Sequence, residues 1–141
     1  AKKIPLLPVN TLELLAFNLY GNKFPILSFI DAKMDEVYAA LYSRDLDEII
    51  TPQNTKPVEF LKKIKGPVII IGDGIGKYEN IIKDSGIEYK LALPHQNIPM
   101  ASTLISIALK KEIPEYDFDF IANLEPYYLR KSQAEIAKEN R

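Results

Sequence analysis

A chain of 141 residues with 47% hydrophobic content is long enough for one domain with one core and falls short of two ordinary domains. Eighteen basic residues against nineteen acidic ones leave a formal charge of -1, so no global positive field draws the molecule onto nucleic-acid phosphates or anionic lipid. The absence of cysteine excludes disulfides, thiolate metal sites and cysteine nucleophiles, and no stretch nears the roughly eighteen apolar residues of a membrane helix; the expectation is a soluble, cytoplasmic protein that does not engage a membrane.

Residues Ala1 to Pro8 hold an apolar clump, Ile4, Leu6 and Leu7, broken by Pro5 and Pro8. It is too proline-rich for a central strand and reads as the tail of an element whose beginning is missing. Asn10 stands three residues ahead of Glu13, a pairing that satisfies orphaned N–H groups at a helix start. Leu12, Leu15, Ala16 and Leu19 then follow at helical spacing until Gly21, which predicts a helix over Thr11 to Tyr20. From Phe24 to Tyr42 the pattern changes to that of a β-hairpin. Ile26, Leu27, Phe29 and Ile30 form one apolar run, Val37, Ala39 and Leu41 alternate with Tyr38, Ala40 and Tyr42, and a charged turn from Asp31 to Glu36 joins them. After the polar turn Arg44-Asp45-Leu46-Asp47, Glu48 to Thr51 is a third strand ended by Pro52. Short turns make these three strands antiparallel neighbours.

Pro57 suits the first position of a helix whose buried stripe is Phe60, Leu61 and Ile64 and which Gly66-Pro67 stops. Val68 to Ile71 is a continuous β-branched run, as a strand covered on both faces requires. Gly72-Asp73-Gly74-Ile75-Gly76 is a tight turn, a helix with Tyr78, Ile81 and Ile82 ends near Ser85-Gly86, and Tyr89 to Leu93 is the last parallel strand. Met100 to Lys111 is a helix with Leu104, Ile105, Ala108 and Leu109 inward, and Pro114 ends it. The tail from Glu115 reads as an irregular segment wrapped on the body by Tyr116, Phe118, Phe120, Ile121, Tyr127 and Tyr128. Ser132-x-x-Glu135 is the capping box of a final helix over Gln133 to Asn140. Right-handed crossovers complete the fold class: α/β, a mixed five-stranded sheet of three antiparallel strands and then two parallel strands, with helices packed on it.

Several clusters could carry chemistry. The glycine turn before Lys77 could aim N–H groups at a phosphate, but a dinucleotide fingerprint wants glycine where Lys77 stands. A Walker loop wants glycine at Ile71 and a hydroxyl residue at Tyr78, so a plain turn is favoured. Asp31, Asp35 and Glu36 could hold magnesium or share a proton, although Lys33 among them partly neutralises the group. His95, the only histidine, lies in Pro94-His95-Gln96-Asn97 without a serine elbow or companion ligands and reads as a loop residue. Arg130, Lys131, Lys138 and Arg141, interrupted by Glu135 and Glu139, read as a solvated helix face. The tail tyrosines could stack on bases, with core packing the favoured reading. The Leu12 helix is too short to stand alone in water: it folds back on the domain or docks on another surface, and both readings stay open.

Three stretches, Pro8-Val9-Asn10-Thr11-Leu12-Glu13-Leu14-Leu15-Ala16, Ile30-Asp31-Ala32-Lys33-Met34-Asp35-Glu36-Val37-Tyr38 and Glu125-Pro126-Tyr127-Tyr128-Leu129-Arg130, together resemble the TsaB (YeaZ) family of tRNA threonylcarbamoyladenosine biosynthesis proteins. The resemblance spans almost the whole chain. It implies a two-lobed protein of the actin-like, sugar-kinase-like ATPase fold, built on ribonuclease H-like lobes. In that frame residues 1–23 are a remnant of the missing N-terminal lobe including one helix, 24–114 the C-terminal ribonuclease H-like lobe, and 115–141 a wrapping tail with a short terminal helix. The family's opening Asp-containing strand and Pro-Gly-Ser-Phe-Thr-Gly-type segment are not among these residues.

The implied role is a non-catalytic scaffold, from a group once described as glycoprotease-like, that supports TsaD in transferring threonylcarbamoyl to a tRNA adenosine. The implied partners are a TsaD-like protein and, in the full complex, a TsaE-like ATPase, with tRNA engaged only indirectly. No cofactor is expected in this fragment, and ATP with magnesium only in the full complex. By the same resemblance Leu12, Leu15, Ala16 and Leu19 form an interface, exposed or covered by a second copy in a homodimer. The alternative is a nucleotide-binding lobe of an actin-like-fold ATPase or kinase, using Asp31, Gly72 and Gly74. Against it, Lys33 occupies the position where active members of the wider fold carry the glycine of Asp-x-Gly.

Overall fold

The computed structural model describes residues 2–129. The predicted terminal helix over Gln133 to Asn140, its capping box and the basic group Arg130, Lys131, Lys138 and Arg141 lie outside the described residues. Five strands, β1 (Ile26–Lys33), β2 (Glu36–Tyr42), β3 (Glu48–Thr55), β4 (Val68–Ile71) and β5 (Tyr89–Leu91), form one sheet in the order β3-β2-β1-β4-β5. β1 runs antiparallel to β2, and β2 to β3, while β4 pairs parallel with both β1 and β5. The mixed sheet expected from turn lengths and β-branching is therefore the sheet observed.

Alternation along β1 and β2 divides the core into two layers. Leu27, Phe29, Val37, Ala39 and Leu41 face one side, where Phe60, Leu61 and Ile64 of α2 (Pro57–Leu61) and its following turn close over them with Tyr78 and Ile82. Ile26, Ala40, Tyr42, Ile69 and Ile71 face the other and receive Leu12, Leu15, Ala16 and Leu19 of α1 (Thr11–Phe17) and the turn behind it. Asn10 caps α1, its Oδ1 accepting from the Leu12 N–H at 2.8 Å. The buried Ser28 hydroxyl donates to the Leu12 carbonyl at 2.7 Å, a bond that pins this helix to the strand beneath it. Of the two open readings for α1, back-packing is the one observed.

Five expectations are corrected. Pro52 does not end the third strand, because β3 is the sheet edge, where a missing N–H leaves no ladder bond unmade. A register slip between Ala39 and Leu41 absorbs the ring. The helix after the glycine turn starts at once and comes in two pieces, α3 (Gly74–Lys77) and α4 (Glu79–Asp84), broken where Tyr78 leaves helical geometry (φ -108, ψ 21). The fifth strand stops at Leu91, and Pro94–Asn97, with His95, forms one 3-10 turn.

The fourth concerns α5 (Ala101–Lys110). It buries Thr103 and Ile107, while Leu104, Ile105 and Leu109 face outward, with Leu109 82% exposed. Its orientation is set by polar and ionic ties to α1: the Thr103 hydroxyl donates to Asn18 Oδ1 at 2.6 Å, Lys111 pairs with Glu13 at 2.6 Å, and Lys110 lies over the Tyr20 ring. The tail, expected to wrap on the body as an irregular core-packed segment, instead forms a helical turn, α6 (Phe118–Ala122), and leaves Phe118, Phe120, Tyr127 and Tyr128 exposed; Leu129 packs against the core.

Candidate functional site

Two neighbouring features at the C-terminal end of β1 gather the residues singled out in the sequence. The first is polar. Asp31, Gly72 and Gly74 do meet there, because the turn after β4 presses against β1. A Cβ on Gly72 would sit 2.3 Å from the Phe29 carbonyl oxygen, and one on Gly74 would sit 2.9 Å from the same atom. Gly72 also has φ +127, a conformation that side chains resist. These glycines thus serve close backbone approach, and the Gly72 N–H already donates to Asn97 Oδ1 at 2.7 Å.

Asp31 is similarly engaged. Oδ2 accepts from Lys33 Nζ at 2.9 Å, and Oδ1 accepts from the Lys33 N–H at 3.0 Å and Lys77 Nζ at 3.1 Å. These bonds, that to the Lys33 ammonium foremost, hold the carboxyl well below the usual carboxylate range. Lys77 is raised to about 12 by its hydrogen bonds to Tyr78 and to Asp31. The Asp31 N–H donates to Asp73 Oδ1 at 3.0 Å. Asp35 points into solvent 3.9 Å from Lys77, and Glu36 Oε2 accepts from Asn54 Nδ2 at 2.8 Å. The three turn carboxylates therefore diverge, and among the described residues no three histidine, aspartate or glutamate side chains are grouped to hold a metal. Lys33, Met34 and Asp35 all have positive φ, and Lys33 pairs with Glu36, so Met34 and Asp35 form a two-residue loop of the type that favours Asn-Gly.

The second feature is a cavity of about 360 Å³ on the α1 side of the sheet. Val9 to Leu12 supply one wall, Ile30 and Tyr38 the sheet floor, and Pro126 to Leu129 the opposite wall. Each of the three resemblance stretches contributes to it, although they are separated by most of the chain. Among the described residues no acid, amine or imidazole lines it, so they offer shape, three tyrosine rings and a few neutral hydrogen-bonding groups. That chemistry suits binding. Sequence reasoning singled out none of Val9, Ile30 or Tyr38 as site residues; their membership in the three stretches was the signal that could have found them.

Of the four predicted interface residues Leu12 reaches the cavity wall, and Leu15, Ala16 and Leu19 lie apart from both features. All four are buried in the chain's own core, so the expected exposed apolar face is not present. The reason is that β1 and β4 are buried on both sides, and α1 supplies the cover one of those sides needs.

The family model described as "TsaD: tRNA N6-adenosine threonylcarbamoyltransferase" matches residues 1–138. Among curated proteins, the chain is 29% identical to the tRNA threonylcarbamoyladenosine biosynthesis protein TsaB of Bacillus subtilis (strain 168), covering 94% of this chain and 58% of that protein. It is 27% identical to the protein of the same name from Escherichia coli (strain K12), covering 94% of this chain and 60% of that protein. The chain thus spans less than two thirds of the curated relatives it matches. Two solved Pseudomonas aeruginosa structures share the fold at 24% identity. One, of a protein with similarity to peptidase YEAZ, gives a TM-score of 0.62 over 89% of this chain and 59% of that one. The other, YeaZ, gives 0.55 over 75% and 51%.

Proposed function

Because the chain belongs to the TsaD-type family, on its TsaB (YeaZ) side, and has an α/β lobe of the actin-like, ribonuclease H-like kind, we propose that it serves tRNA threonylcarbamoyladenosine formation as a non-catalytic, cytoplasmic supporting lobe. In this reading it is the C-terminal lobe of a two-lobed protein that assembles with a TsaD-like transferase and a TsaE-like ATPase and meets tRNA only through them. Among the described residues no helix is long and apolar enough to cross a membrane.

The observation that supports this role is the contrast between the two features. Where a nucleotide-using lobe would present free N–H groups and an available carboxylate, the Gly72 N–H is taken by Asn97 and Asp31 is held by two lysines. The Phe29 carbonyl fills the space beside both glycines. The described residues with which the three resemblance stretches build the cavity are uncharged, a lining suited to contact.

The test is genetic and chemical. The full-length protein, expressed in Bacillus subtilis depleted of its own TsaB, should restore threonylcarbamoyladenosine in total tRNA hydrolysates, and the purified protein should co-elute with the TsaD-type protein of its own genome. Failure of both overturns the proposal. The competing reading, a nucleotide-binding lobe, is examined by calorimetric titration with ATP and magnesium. Tight, magnesium-dependent binding that disappears in Asp31→Ala would replace the scaffold role with that one.

A further inference from the structure

The two faces of the sheet are dressed differently. Over the first, α2 with its following turn and α4 hold charges outward that pair along their own helices, Lys62 with Glu59 at 3.3 Å and Lys83 with Glu79 at 2.6 Å. Such exposed pairs add little stability, but they suit a surface that stays in water. On the second face α5, beside α1, is the opposite. From Ala101 to Leu109 it carries no charged residue, and its outward side is Leu104, Ile105 and Leu109, 42%, 61% and 82% exposed.

Single exposed apolar side chains are ordinary, whereas a stripe of them on an uncharged helix marks a contact surface. α5 also buries Ile107 on its inner side, and apolar residues on both sides are the pattern of a helix enclosed between two layers. Its attachment to α1 uses none of the outer stripe. The Thr103 hydroxyl bond to Asn18, the Lys111–Glu13 pair and Lys110 over the Tyr20 ring hold the helix in place and leave Leu104, Ile105 and Leu109 available.

We propose that the outward side of α5 is the seat of the other lobe of the full-length protein, which covers Leu104, Ile105 and Leu109 and makes α5 a layer between the two lobes. This rests on the two-lobed reading given above and adds to it the surface on which the lobes meet. The occupant is argued from length: the chain spans 58% and 60% of the two TsaB relatives, so in each of them a further stretch lies outside the matched part. A lobe on the same polypeptide is present at an effective concentration on the order of mM, which favours it over a separate protein. An uncharged stripe also lacks the cationic groups that a nucleic acid would need.

The test uses the full-length protein with Leu109→Cys, Ile105→Cys or Val58→Cys, the alkylation of each introduced thiol by iodoacetamide being followed on its own peptide by mass spectrometry. Within this lobe Leu109 is 82% exposed and Val58, on α2, is 43% exposed, so an uncovered α5 makes position 109 the faster of the two. A covered α5 makes positions 109 and 105 about tenfold or more slower than position 58, because thiol reactivity follows access. The proposal is overturned if position 109 reacts as fast as position 58 or faster. It is equally overturned if the slowing appears only when the TsaD-type protein is added, or only as the protein's own concentration rises. Slow alkylation at 109 with failed complementation in Bacillus subtilis would keep the lobe contact and overturn the tRNA role alone. Fast alkylation with successful complementation would do the reverse.

Discussion

Substituting Gly72 by alanine should be the most damaging single-methyl change in the turn after β4. The added Cβ would lie 2.3 Å from the Phe29 carbonyl oxygen and 2.8 Å from its carbon, backbone atoms with no rotamer to escape into. Relief requires β1 and β4 to separate where Ser28 and Ile71 pair, and the layer above them opens with it. Overpacking of this kind costs about 1–3 kcal/mol, and an L side chain at φ +127 adds about 1–3 kcal/mol of backbone strain. The sum, about 2–6 kcal/mol, is a large part of the roughly 5–15 kcal/mol that holds a domain folded.

Gly74→Ala meets the same oxygen at 2.9 Å and the Phe29 ring at 3.0 Å without positive φ, and it gains helix propensity within α3. Its loss should be smaller, about 1–2 kcal/mol. Gly76→Ala has nothing within 4 Å and should stabilise by about 0.5–1 kcal/mol. Urea unfolding followed by circular dichroism gives the three values, and the expected ranking is 72, then 74, then 76. A Gly72→Ala chain within about 0.5 kcal/mol of the parent would refute the packing account and return the glycine to a ligand-binding role.

Asp31→Asn should lower stability at neutral pH by about 1 kcal/mol, a modest figure because the lysines that hold the carboxylate are themselves partly exposed. The folded carboxyl titrates below its unfolded value of about 3.9, so its contribution is present above that pH and is lost as pH falls beneath it. The stability gap between parent and Asp31→Asn should therefore narrow on acidification below about pH 4, and a gap that widens there would contradict the assigned bonds. Tyr42 is buried with its hydroxyl unpartnered among the described residues, and burial foremost pushes its ionisation upward. Tyr42→Phe should be neutral or stabilising by up to about 1.5 kcal/mol, and it should remove a loss of stability that sets in as pH rises above about 10. Converting Met34-Asp35 to Asn-Gly, at two positions held with positive φ, should raise the urea midpoint by the equivalent of about 1 kcal/mol. No change would mean that the loop relaxes to another turn in solution.

Local chemistry was enough to read the sheet. Turn lengths of a few residues forced β1, β2 and β3 to be antiparallel neighbours, and the unbroken Val68 to Ile71 run could only be a strand covered on both faces. The glycine spacing by itself likewise excludes the standard phosphate loops. The sequence could not say which way an apolar stripe faces. Periodicity marks one side of α5 as apolar, yet Thr103, Lys110 and Lys111 anchor the other side to Asn18, Tyr20 and Glu13 and turn the leucines outward.

The same limit separated the two candidate features. Asp31 and the glycines were visible because residue type alone suggests phosphate chemistry. Only their close approach to Phe29 and to the lysines showed that the space and the charge are already used. The cavity was invisible to any local rule, since its walls come from residues 9–12, 30, 38 and 126–129. Sequence determined what each segment could be, because backbone propensity and burial pattern act over a few residues. Tertiary structure decided which segments share a surface, because that depends on contacts between residues far apart in the chain.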